Sequence, residues 1–152
     1  MWKNYGRIFS DYVYIDQFRS KKLDEYLSIS GLEILEKIKK DGKPVVFISG
    51  HFNNFELMAM EIEKSGIDVG AIYRPLNNIF LNKIMERIRK KYICKNQIIK
   101  GLSGTKEVIN FMKNKHSIAL MVDQRLGESE RYPFFNKPAH TTTLPAQLAL
   151  KF

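Results

Sequence analysis

The sequence of 152 residues has one cysteine, Cys94, which excludes an internal disulfide framework and any thiolate metal site built without ligands from elsewhere. A reducing, cytosol-facing environment fits this usage best. His51, His116 and His140 stand far apart, and no Cys/His spacing resembles a zinc site, so metal-free chemistry is the default expectation. Long apolar runs are also missing. No stretch approaches the roughly 18 apolar residues of a spanning helix, and Met1–Arg7 lacks the uninterrupted apolar core of a signal peptide. There is no solenoid-period repeat, low-complexity segment or Gly/Ser linker. Acidic residues are in short supply: 16 Asp and Glu face 25 Lys and Arg, a net charge of +9. That excess favours an anionic partner, whether nucleic acid, a phospholipid surface or a phosphorylated substrate, and does not choose among them.

With 44% hydrophobic residues, the chain can build one core, so a single domain over 1–152 is expected. Residues 2–19 space Ile8, Phe9, Val13 and Ile15 as for one helix leaning on a surface. Leu32, Ile34, Leu35 and Ile38 continue the helical period up to a stop at Asp41-Gly42-Lys43-Pro44. Val45–Gly50 is short, apolar and β-branched, which reads as a strand buried on both faces. A polar loop, His51-Phe52-Asn53-Asn54, then opens a helix over 55–64 with Asn53 or Asn54 as N-cap. The cycle recurs with a strand at 69–73, a basic helix at 79–91 and a short strand at Ile98-Ile99. A helix from Ser103 to Lys113, opened by Ser103 or Thr105, and a buried strand from Ser117 to Val122 complete it. Alternation of this kind specifies an α/β fold with a mostly parallel sheet flanked by helices.

In parallel sheets, functional groups gather beyond the carboxyl ends of the strands, and His51, Arg74 and Asp123 all stand there. Histidine suits general-base work near neutral pH and needs a neighbour that fixes its tautomer. Glu56 is the expected neighbour, since the loop before its helix lets the chain fold back on the imidazole. The plainer alternative is a satisfied loop histidine and a glutamate favoured by the helix dipole. Arg74 suits a phosphate or carboxylate clamp, or else is a surface residue held by the turn at Pro75. Asp123 either orients His51 or Arg74 or caps the next turn. Gln124 and Arg125 either contact a head group or are solvated, and Asn54 is either a site residue or a cap.

Ser49-Gly50-His51-Phe52-Asn53-Asn54-Phe55-Glu56 resembles the first signature of the lipid A biosynthesis lauroyl/myristoyl acyltransferases, a histidine followed by four residues and an acid. Tyr73-Arg74-Pro75-Leu76-Asn77-Asn78, Met121-Val122-Asp123-Gln124-Arg125, and the block from Phe134-Phe135 to Leu144-Pro145-Ala146 resemble three further signatures in the same order. Four ordered matches are far more specific than one. Departures are Phe55 for the usual tryptophan, and Asn53 and Asn136 at glycine positions.

The resemblance implies a glycerolipid acyltransferase-like fold and transfer of a fatty acyl chain, from acyl carrier protein or acyl-CoA, to a hydroxyl of a lipid A precursor. His51 would be the base and Glu56 its orienter, without cofactor or metal and without nucleic acid. The reaction would run at the cytoplasmic face of the bacterial inner membrane. By its residues, the basic helix with Lys83, Arg87, Arg89, Lys90 and Lys91 is of the kind that can lie on an anionic surface, a solvated helix face being the ordinary alternative. Family members are usually about twice as long, so a partial domain is expected, without the membrane anchor and incomplete at the C-terminus. A glycerolipid (lysophospholipid) acyltransferase is the alternative enzyme, and a basic nucleic-acid-binding module the alternative of another class.

Overall fold

A computed structural model describes residues 2–124, 127 and 129–152. The N-terminal segment is broken where one helix was expected: α1 (Trp2–Asp11) passes through a tight 3-10 turn, Tyr12–Tyr14, into α2 (Ile15–Arg19). The break lets Ile8 and Ile15 both reach the interior while Tyr12 turns its hydroxyl inward.

From α3 (Leu32–Asp41) the chain enters β1 (Val46–Ser49), α4 (Glu56–Lys64), β2 (Val69–Tyr73) and α5 (Ile79–Ile88). Next come β3 (Asn96–Ile99), α6 (Leu102–Lys113) and β4 (Ser117–Met121). These strands form one parallel sheet in the order β1-β4-β2-β3, as the α/β reading requires. The last of them is inserted between the first two. Ser117 to Leu120 of central β4 are buried, whereas among the described residues β1 pairs on one side only and leaves Ile48 60% exposed. Val45–Gly50 is therefore an edge segment, not a strand buried on both faces.

Alternate side chains feed two cores, one on each face of the sheet. Ala119 joins Ile15, Met60, Ile62, Val69 and Ile93 on one face. Ile118 and Leu120 join Ile98, Val108, Met112 and Leu148 on the other. At the second interface, α6 lies so close to β3 that a Cβ on Gly104 would fall 1.8 Å from the Ile99 carbonyl oxygen. Only glycine fits there. Neither Ser103 nor Thr105 caps α6: Gly101 holds the N-cap position and the Thr105 hydroxyl donates back to its carbonyl.

A hairpin not foreseen from the sequence follows, pairing β5 (Arg131–Phe134) with β6 (Lys137–His140). Its two-residue turn has φ of 48° at Phe135 and 61° at Asn136, the backbone of a type I′ turn. Asparagine tolerates that conformation better than other side chains, which accounts for Asn136 at a glycine position. Helix α7 (Leu144–Lys151), with Pro145 in its first turn, packs Leu148 into the second core.

Candidate active site

All four parallel strands point their carboxyl ends the same way, so the residues just beyond them share one edge. In spatial order across the sheet these are His51 after β1, Asp123 after β4, Arg74 after β2 and Lys100 after β3. The ladder continues past the strands, with Val122 donating its N–H to Ser49 O and Lys100 donating to Tyr73 O.

His51 and Asp123 meet twice. The imidazole Nδ1 lies 2.8 Å from Asp123 Oδ1, and the backbone N–H of His51 donates to Oδ2 at 2.7 Å. Gly50 leaves room for this approach, since a Cβ there would sit 3.1 Å from Oδ2 and 2.5 Å from the Phe52 ring. Phe55 presses edge-on against the imidazole, centroids 4.9 Å apart. A carboxylate only accepts, so Nδ1 carries a proton, and in the neutral imidazole the lone pair is then on Nε2. The Gln124 amide nitrogen, 3.4 Å from Nε2, donates toward that lone pair and agrees with the same tautomer. Partial burial works against the charge on Asp123, but the His51 backbone and side chain outweigh it and hold the carboxyl below its ordinary range.

Glu56 does not meet His51; among the described residues no hydrogen bond joins them. Glu56 is 6% exposed, and its carboxylate accepts from Arg89 Nε at 2.9 Å, Arg89 Nη2 at 2.5 Å and the Tyr12 hydroxyl at 2.6 Å. Sequence reasoning missed Arg89 and Tyr12 as its partners. Arg89 opens a π turn, Arg89–Ile93, closed by Cys94 N–H to Arg89 O at 2.9 Å. The Arg89 N–H bonds back to Met85 O, so Arg89 lies one helical turn after buried Met85 and faces inward, apart from exposed Lys90 and Lys91. Burial pushes the Tyr12 phenol up, and the adjoining Glu56 carboxylate pushes it further. Burial opposes the Arg89 charge too, but Glu56 and Tyr12 more than restore it.

Arg74 stands on a loop braced from both flanks. Tyr73 Oη donates to Glu86 Oε1 at 2.5 Å, Asn82 Nδ2 donates to the same oxygen at 2.7 Å, and Leu76 N–H donates to Asn82 Oδ1 at 2.9 Å. Those donors hold the Glu86 carboxyl below its ordinary range, and Arg89 lies over the Tyr73 ring at 5.7 Å. Among the described residues, no carboxylate pairs with Arg74. A cavity of about 580 Å³ runs along this edge, with His51, Glu56, Arg74, Arg89, Lys100 and Gln124 in its wall.

The remaining expectations divide. Asn54 does not cap α4, because the N-cap position is Phe55 in helical conformation without a side-chain cap bond. Its amide instead donates to Asp11 at 2.8 Å and ties the histidine loop to α1. Asn53 has φ of 45°, so both asparagines that replace glycines occupy left-handed backbone positions. Gln124 sits beside the imidazole, and Arg125 lies outside the described residues. Among the described residues no three His, Cys, Asp or Glu side chains converge as a metal site, and no helix is long and apolar enough to cross a membrane.

No curated protein matches the chain significantly. The sequence pattern of a family does, over residues 1–152, with the histidine motif, the arginine loop and the aspartate of the edge all inside the match. The chain belongs to the bacterial lipid A biosynthesis acyltransferases.

Proposed function

We propose that the protein transfers a fatty acyl chain from a thioester on acyl carrier protein to a hydroxyl of a lipid A precursor, with His51 as general base and Asp123 as its orienter. The observation that carries this reading is the double contact of His51 with Asp123 in the cavity wall, which in the neutral imidazole puts the free lone pair on Nε2. The acceptor hydroxyl displaces the Gln124 amide from Nε2 and gives it a proton. The oxygen attacks the thioester carbonyl, the C–S bond breaks, and the proton passes from His51 to the departing thiolate. An ester and a free thiol result. Charge builds on His51 during the attack, and the Asp123 carboxylate stabilises it.

Glu56 acts one step back in this scheme, as the fixed anion that holds Arg89 in the cavity wall. Arg74 takes an anionic group of a substrate. Because the acceptor is an amphiphile, the reaction is assigned to the cytoplasmic face of the bacterial inner membrane. Ile79, Phe80 and Ile84 are exposed on α5 beside Lys83 and Arg87, which suits an anionic lipid surface.

The test is transfer of radiolabelled acyl groups from acyl carrier protein to a lipid A precursor by the parent, His51→Ala and Asp123→Asn. Both variants, folded, are expected to lose about a hundredfold or more in rate. An unchanged rate in His51→Ala removes the base assignment. Loss in Glu56→Gln but not in Asp123→Asn returns the orienting role to Glu56.

A further inference from the structure

The cations around the cavity are treated in two ways by the fold. Arg89 is neutralised by Glu56, and outside the cavity Arg19 and Lys64 are paired with Glu63 and Glu61. Arg74 and Lys100 have no such partner among the described residues, although both line the cavity that holds His51. They are also neighbours. Tyr73 pairs with Ile99 in the parallel register, and the Lys100 N–H donates to Tyr73 O at 2.8 Å, so Arg74 and Lys100 leave adjacent strand ends side by side.

Backbones of neighbouring strands are about 4.8 Å apart, well within reach of one small anion for side chains of this length. Two like charges so placed repel each other, and the repulsion turns into attraction once a shared anion lies between them. The net lining charge points the same way. Arg74, Arg89 and Lys100 line the cavity with one carboxylate, Glu56, and the Asp123 carboxylate behind His51 still leaves the edge at +1.

From this geometry we infer that Lys100 and Arg74 together form a phosphate subsite, in which the two side chains hold the oxygens of a substrate phosphate ester while its reacting group lies at His51. The inference rests on the function proposed above and adds Lys100 to it. Three interstrand steps of about 4.8 Å separate the ends of β1 and β3, so the phosphate lies about 10–14 Å from His51 Nε2. Arg74 supplies the directional fork, held in place by the Tyr73–Glu86–Asn82–Leu76 brace, and Lys100 supplies a mobile point charge. A phosphorylated acceptor and the phosphopantetheine arm of a carrier-protein donor both present this chemistry.

The experiment has a binding arm and a kinetic arm, both on the full chain. Inorganic phosphate titrated into the parent is expected to bind saturably, at least about fivefold more weakly to Lys100→Ala, with Lys100→Arg close to the parent and Lys113→Ala, remote from the cavity, unchanged. Equal phosphate affinity in the parent and Lys100→Ala overturns the subsite. In the kinetic arm, the KM for acceptor and for donor are measured separately. A rise of about fivefold or more for the acceptor alone, abolished when the acceptor lacks its phosphate, assigns the group to the acceptor; a rise for the donor alone assigns it to the phosphopantetheine. No rise in either overturns the subsite even if His51→Ala is dead. An active His51→Ala removes the proposed mechanism, while the phosphate titration still decides the fate of Lys100.

Discussion

Arg89 grips Glu56 through two nitrogens aimed at one carboxylate oxygen, with the side chains 15% and 8% exposed. At that depth each charge depends on the other for its solvation. Arg89→Met is expected to cost about 3–5 kcal/mol in chemical unfolding, because it leaves a buried carboxylate with only the Tyr12 hydroxyl. The double variant Glu56→Gln/Arg89→Met is expected to be more stable than the sum of its singles implies. Strict additivity would show that the pair is not coupled.

Acid should reveal the contact between Asp123 and His51. The folded-state value of Asp123 lies below that of the unfolded chain, so the unfolded chain binds the proton more readily. The stabilisation is then fully present above about pH 4, the ordinary aspartate value, and is lost as pH falls through the lower folded value. Urea midpoints of the parent and Asp123→Asn are expected to differ at pH 7 and to converge well below pH 4. A gap that persists in acid would contradict a depressed Asp123.

Cys94 should resist alkylation. Its thiol is fully buried, approaches the Val69 carbonyl oxygen at 3.2 Å, and is pushed up to about 11, chiefly by burial. Near pH 8 this leaves roughly a hundredfold less thiolate than an ordinary cysteine, before access is considered. Iodoacetamide labelling followed by mass spectrometry is expected to be slow in the native protein and fast in urea; equal rates would refute the burial.

Gly104→Ala should be severe. The added methyl has nowhere to go, because the atom it meets is the backbone oxygen of Ile99 at 1.8 Å. A loss of about 3 kcal/mol or more is expected, from displacement of α6 off the sheet. Thermal melting within a degree of the parent would show that the helix slides without cost.

The alternation of strands and helices is legible in the sequence because apolar runs such as Val45–Ile48 and Ile118–Val122 are punctuated by Gly, Asn and Asp. Strand order is not, since nothing local to Ser117–Met121 says that it enters between β1 and β2. The hairpin is silent for another reason: Pro133 and Pro138 sit within its strands, every residue of β5 is exposed, and its turn begins with Phe135 instead of Asn or Gly. His51, Arg74 and Asp123 are legible as strand-end residues. The partner of Glu56 is not, because the helical period sets Arg89 one turn after buried Met85 but does not say which element that face meets.

Insertion of β4 between its predecessors also sets a schedule for biosynthesis. Among the described residues β1 has no hydrogen-bonded neighbour until Ser117–Met121 is made, which begins 68 residues after Ser49. At roughly 5–20 residues per second, the nascent chain carries an unpaired β1 for about 3–14 s, plus the time to clear the ribosome. The same event brings Asp123 to His51. Sheet closure and assembly of the histidine–aspartate pair are thus a single late step, and a chain stalled before β4 leaves the ribosome as a sticky half-sheet with no assembled pair.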